Sequence, residues 1–160
     1  MTNPDELNAL ALRCEREEAS RMLDRAIAAA LGYEVKVIEI PEGHPMADVF
    51  KAGSGLEFMY RPGCDREGIP PWTSSLDAAV SLVPEGLLVE NLGEMRDSGP
   101  RTGYWLAQLA PRGPRPRVAP GPITAATVRA ACDALPLVSA PTGPLALCAA
   151  ALRARAAKGR

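Results

Sequence analysis

The residues best suited to covalent chemistry are His44 and Cys64, which stand in neighbouring turn-rich stretches. An imidazole beside a thiol raises the thiolate fraction, and the thiolate is the nucleophilic form of cysteine. One hypothesis is therefore a small enzyme that uses a Cys64/His44 pair. The alternative places His44, the chain's single histidine, in a surface loop without a catalytic role. Nothing in the spacing requires the two side chains to meet.

Metal and phosphate chemistry have less support in the sequence. Cys14, His44 and Cys64 are zinc-ligand types, but their spacings match no zinc finger or ribbon. The Gly53-Ser54-Gly55 stretch lacks the remaining glycine of a dinucleotide-binding loop, and it precedes a predicted strand instead of opening a helix. We therefore predict no catalytic set, no metal and no cofactor, with Cys64 and His44 kept as weak catalytic candidates.

Non-covalent contacts have a different set of candidates. These are Trp72, Arg112, Arg115 and Arg117. The first 100 residues carry 18 acidic and 9 basic side chains, whereas the last 60 carry 1 acidic and 9 basic. This basic C-terminal region suggests weak nucleic-acid binding as one alternative, and compensation between two packed halves as the preferred one. For Trp72 the alternative to a contact is an anchor in the core.

Length and composition indicate what kind of protein carries these residues. With 160 residues, 47% of them hydrophobic, the chain has the size of one domain with a real core. Only 4% are aromatic, so much of the apolar content is alanine and close helix packing is expected. The four cysteines show no CxxC spacing and are expected to be reduced. The first residues do not resemble a signal peptide, and no stretch is apolar enough to span a membrane, so we expect a cytoplasmic bacterial protein.

Periodicity and punctuation predict an α+β domain. Helices are predicted over 4–31, 74–83, 124–135 and 144–157, and strands over 33–40, 56–60, 87–92 and 103–109. Region 4–31 can be one helix, or two if Ser20 starts a second one, and Gly32 ends it in either case.

The last two predicted strands form a plausible hairpin. Leu87, Val89, Tyr104 and Leu106 are the inward candidates, with Trp105 on the opposite face. A slip of one residue would exchange these assignments.

The clearest local pattern is PPWTSSLDAAVSLVPEG at residues 70–86, which predicts a short helix between prolines. The N-cap candidates are Thr73, Ser74 and Ser75. Asp77 lies in the first turn, where a carboxylate favours the helix dipole. The predicted buried stripe is Leu76, Ala79, Val80 and Val83. Nearly every residue of the pattern thus has a structural task.

Three segments resemble the phage ABA-sandwich family of small phage and prophage proteins. They are LDRAIAAALG at 23–32, WTSSLDAAVSLVPE at 72–85 and ALCAAALRA at 146–154. The resemblance implies an α-β-α sandwich with a small, mainly antiparallel sheet, and a phage-derived origin. It transfers no catalytic residues, and segments 41–55 and 111–136 look like insertions into the family pattern.

The sequence therefore predicts one domain over 1–160 and a non-enzymatic phage or prophage accessory protein. Its expected mode of action is binding to another protein, which can be a second copy of itself. The enzyme hypothesis and the nucleic-acid hypothesis are kept as alternatives.

Overall fold

A computed structural model describes residues 3–38, 56–61, 67–95, 103–112 and 137–158. Several predictions fall outside these residues and stay predictions. They concern His44, Cys64, Arg115, Arg117, the insertion at 41–55, the helix at 124–135 and nearly all of 111–136.

Helices and antiparallel strands make up the described structure, which confirms the predicted α+β class. The helices are α1 (Pro4–Arg16), α2 (Arg21–Ala30), α3 (Leu76–Val80) and α4 (Gly143–Lys158). The strands are β1 (Glu34–Ile38), β2 (Leu56–Tyr60), β3 (Glu67–Gly68), β4 (Leu87–Met95), β5 (Tyr104–Pro111) and β6 (Val138–Ala140). Two three-stranded sheets result, ordered β1-β2-β3 and β4-β5-β6, and we call them the first and second sheets.

The N-terminal region is two helices rather than one. Ser20 begins α2 by accepting a hydrogen bond from the Leu23 amide at 3.2 Å. Gly32 follows α2 with φ at +83°, the left-handed conformation expected of a helix-ending glycine. Helical spacing in the sequence predicts a buried stripe in α1, and this prediction is confirmed, since its four residues are at most 5% exposed: Leu7, Leu10, Ala11 and Cys14. The second predicted stripe is wrong at two positions, since Met22 is 71% exposed and Ala19 is exposed before α2 begins; its members are Ala19, Met22, Leu23, Ala26, Ile27 and Ala30.

Helix α3 is shorter than predicted, and its buried stripe is wrong in part. Ser75 is the N-cap, accepting from the Ala78 amide at 3.3 Å. Because the helix ends at Val80, the positions after it no longer follow helical spacing. Val80 is 50% exposed and Leu76 40%, whereas Leu82 in the following turn is 2% exposed.

The centre of the molecule is α4, which packs against α1, α3 and all three strands of the second sheet. Helical spacing predicts one apolar side for this helix, made of Leu145, Cys148, Ala149, Leu152 and Ala156. That prediction is too narrow, because alanines and leucines are buried around nearly the whole helix. Small residues allow this close packing. At the first turn, the Gly143 backbone lies so near Trp105 that an added Cβ would stand 3.0 Å from the indole.

In the second sheet the predicted β4–β5 hairpin partners pair antiparallel, but the predicted face of β5 is wrong. Trp105 packs against the core, whereas Tyr104 is 38% exposed on the other face, together with Leu106. Leu87 and Val89 face the core as predicted. A bulge between Val89 and Asn91 shifts the register of β4. Alternation could not decide the face of β5, because its apolar residues occupy both faces.

Candidate functional site

The 70–86 segment is held in place by a buried polar junction. The Asp24 carboxylate, 1% exposed, accepts from the Thr73 amide at 2.9 Å. The Thr73 side chain contacts the residue before α2: its hydroxyl accepts a hydrogen bond from the Ser20 amide at 3.2 Å. Thr73 therefore serves the beginning of α2 and not the cap of α3. The junction fixes the loop before α3 against α2.

Trp72 extends this junction into the core. Its indole Nε1 donates to the Ser81 hydroxyl at 3.1 Å, and its backbone carbonyl accepts from the Cys148 thiol at 3.2 Å. Asp24, Trp72 and Cys148 come from the three segments that carry the family resemblance. Those segments meet at one buried place.

Beside Trp72 lies a concave site that we call the arginine cleft, with a volume of about 370 Å³. Its lining residues are Leu31, Tyr33, Met59, Arg61, Glu67, Pro70, Trp72, Ser81, Leu82 and Arg155. They come from the end of α2, the first sheet, the turn after α3 and the last turns of α4. The cleft thus lies where the first sheet approaches the C-terminal end of the central helix.

Arg61 reaches the cleft from the end of β2. Its guanidinium stacks on the Tyr33 ring, 4.3 Å from the ring centroid. One terminal nitrogen stands 3.4 Å from the Leu31 carbonyl, a long hydrogen bond. Within the described residues Arg61 forms no ion pair, so most of its N–H donors remain for solvent or a ligand.

Arg155 enters the cleft from α4. Its Nε donates to the Leu82 carbonyl at 2.8 Å, near the end of α3. Burial lowers the pKa of Arg155 below its usual range; Tyr33 opposes this shift and the like charge of Arg61 adds to it. The group stays protonated at neutral pH. Two positive charges therefore share one concave site, and among the described carboxylates none is ion-paired with Arg155.

The remaining walls of the cleft are aromatic and apolar, with one acidic residue at the rim. Trp72 is 3% exposed, so its indole belongs to the core and only borders the cleft. This burial fits the alternative interpretation of Trp72 as an anchor. Tyr33 is half-buried, and Glu67 in β3 is exposed. The arrangement can receive an anionic group with an apolar part beside it.

Of the three arginines that the sequence singles out as contact candidates, the described one does not line the cleft. Of these, only Arg112 is described, and it is exposed after β5, with its amide donating to the Gly86 carbonyl at 2.7 Å. The basic residues of α4 have intramolecular partners. Arg153 donates to Glu15 at 2.9 Å, and Lys158 donates to the Glu85 carbonyl at 2.7 Å. These contacts agree with a structural explanation of the C-terminal basic cluster.

The two described cysteines are poor nucleophiles. Cys14 and Cys148 are free thiols and 0% exposed. Burial raises the pKa of Cys14 to about 12 and that of Cys148 well above its usual range. At neutral pH both remain protonated.

A second candidate surface is the open face of the second sheet, by which we mean the face turned away from α4. Leu88, Met95 and Tyr104 lie on it and are 39%, 49% and 38% exposed. Met95 and Tyr104 are directly paired neighbours across β4 and β5. Strands with apolar residues on both faces are typical of sheets covered on both sides. The described helices that contact this sheet, α1 and α4, join the core on its other face.

Arg61 and Arg155 were missed by sequence reasoning. Arg155 had little local signal: it follows Cys148 and Leu152 at helical spacing, but the surrounding alanines and leucines mark no single buried side of α4. Arg61 had none beyond its position at the end of a strand.

The described residues contain no group of side chains suited to hold a metal ion. None of their helices has the length and apolar character needed to cross a bilayer. In comparisons with protein-family models, curated proteins and solved structures, nothing matches this chain. Its function is therefore argued from its surfaces.

Proposed function

We propose that the protein is a non-enzymatic accessory protein that acts through protein–protein contacts on the open face of the second sheet, with a second copy of the chain as the partner. The observation that carries the proposal is the apolar character of β5 on both faces, with α4 covering one of them. A phage or prophage origin belongs to the same proposal, supported by the meeting of the three family-like segments at Asp24, Trp72 and Cys148.

A second copy fits this face because the face is uncharged. Apart from the bulge residue Glu90, the paired positions that point to it are leucine, methionine, tyrosine, alanine, glycine or uncharged polar residues. Two identical faces can therefore meet at these paired positions without like-charge repulsion. A two-fold arrangement would place the Met95–Tyr104 pair of each copy in one interface and remove exposed apolar area from water.

The test is the mass in solution, measured by light scattering after size-exclusion chromatography over roughly a hundredfold range of concentration. We expect the mass of a dimer for the wild type. The double variant Met95→Lys/Tyr104→Lys should be monomeric, because charges on both copies would then face each other. The matched control Leu12→Lys/Val37→Lys changes residues that are 42% and 45% exposed elsewhere, and it should remain dimeric.

A wild type that stays monomeric at the highest concentration would refute self-association. A dimer that survives Met95→Lys/Tyr104→Lys would refute this face as the interface. If the wild type is monomeric and the same double variant lowers the melting temperature strongly, the chain itself covers the face.

A further inference from the structure

We propose that the arginine cleft binds a small organic anion, namely a carboxylate or phosphate group attached to a planar apolar body. None of the residues that line the cleft belongs to the second sheet, so this proposal does not rest on the dimer.

The charge of the cleft supports an anion. Arg61 and Arg155 both line it, and within the described residues neither guanidinium is ion-paired with a carboxylate. Each guanidinium has five N–H donors, of which the protein uses few here. Carboxylate and phosphate oxygens are the acceptors that match the planar fork of arginine.

The remaining lining supports a planar apolar body next to the anionic group. Tyr33 is half-buried and presents aromatic surface to the cleft, whereas Trp72, Met59 and Leu82 form its apolar floor with at most 4% of each residue exposed. A volume of about 370 Å³ is at the small end of ligand pockets, and it leaves room for more than an inorganic ion. Glu67 at the rim is exposed, so solvent screens its repulsion of the ligand.

A purely structural role accounts for only part of this arrangement. Arg155 holds the Leu82 carbonyl, and Arg61 stacks on Tyr33. Either task could be performed without a second cation in the same cleft. Arg155 is half-buried and Arg61 is exposed at the end of β2, so solvent screens part of the repulsion between these like charges, and a bound anion would offset the rest.

The experiment is a calorimetric titration in a low-salt buffer without phosphate. The probes are phenyl phosphate, benzoate, inorganic phosphate and the neutral benzamide. We expect at least one aromatic anion to bind more tightly than benzamide and inorganic phosphate. The stronger of phenyl phosphate and benzoate identifies the anionic group. The same titration followed by NMR should shift the indole N–H signal of Trp72, which lines the cleft.

Variants locate the binding site. Arg61→Met should weaken binding about tenfold or more, because a hydrogen bond to a charged group is lost. Arg155→Lys keeps the charge and loses the fork, so it should weaken binding less than Arg61→Met. Arg16→Met removes the same charge from the exposed end of α1 and should bind as the wild type does. Melting temperatures verify that each variant is folded.

Two results would overturn the proposal. One is that neither aromatic anion binds more tightly than benzamide. The other is unchanged affinity in folded Arg61→Met. Tight binding of inorganic phosphate, with no gain from the phenyl group, would refute the planar apolar body.

Discussion

The buried junction around Asp24 gives the sharpest test of the fold. Asp24→Ala leaves the Thr73 amide, in a residue that is 0% exposed, without its acceptor. A hydrogen bond to a charged group contributes about 1.5–3 kcal/mol, and a buried unpaired donor costs a similar amount. The lost ion pair with Arg21 adds little, because Arg21 is 44% exposed and keeps the Ile69 carbonyl and Glu57 as partners. We expect a loss of about 2–3 kcal/mol in the free energy of unfolding.

Asp24→Asn separates the hydrogen bond from the charge. The amide oxygen can still accept from Thr73, so this variant should lose only about 1 kcal/mol. Urea unfolding followed by circular dichroism measures both values. Asp77→Ala is the control, because Asp77 is an exposed first-turn carboxylate of α3 and should contribute about 0.5 kcal/mol through the helix dipole. If Asp24→Ala costs no more than Asp77→Ala, the junction does not hold the 70–86 segment as argued here.

Three further predictions concern single residues. Leu82→Ala should lower the free energy of unfolding by about 2–4 kcal/mol, because Leu82 is buried, and Val80→Ala by under about 0.5 kcal/mol, because Val80 is exposed. Equal losses would mean that Val80 is buried, as the helical spacing in the sequence predicts. The hydrogen bond from Arg25 keeps the pKa of Glu57 below its usual 4.5, so the stability that this carboxylate contributes is present above pH 4.5 and lost as the pH falls through its lowered pKa. Glu57→Gln should therefore flatten the acid side of the curve of unfolding free energy against pH. An unchanged acid side would contradict this. Native protein treated with iodoacetamide at pH 8 should keep Cys14 unmodified, whereas unfolded protein is alkylated there; peptide mass spectrometry distinguishes the two, and rapid native labelling would contradict the burial.

Local signals predicted the elements that depend on local contacts. Strand β2 has the bounds that alternation and the following Arg61-Pro62 indicate. Gly32 ends α2 because its conformation is set within a few residues. The sequence alone allows one helix or two over 4–31, since Ser20 as a cap competes with helix continuation. The hydrogen bond to Thr73 favours the cap.

The wrong predictions concern residues whose contacts are made with parts of the chain that are distant in sequence. Thr73 has a good N-cap side chain, but its hydroxyl bonds to Ser20, far away in sequence. The face of β5 depends on which side α4 covers, and Trp105 is on that side because Gly143 leaves room for its indole. Neither partner can be inferred from the spacing within a single segment.

The central helix explains why the arginine cleft was the hardest feature to predict. A helix buried on all sides requires small residues, so α4 is rich in alanine and gives no amphipathic pattern against which a functional residue would stand out. The charged side chains of α4 must therefore form hydrogen bonds or ion pairs with the elements packed around it. Arg153 finds the Glu15 carboxylate, whereas Arg155 finds a carbonyl and the neighbouring charge of Arg61. A half-buried Arg155 gains nothing for the fold from the exposed Arg61 beside it, because like charges repel even where solvent screens them. A ligand anion at that place supplies the reason for both arginines, and this is why the binding measurements on Arg61 and Arg155 are more informative than any stability measurement there.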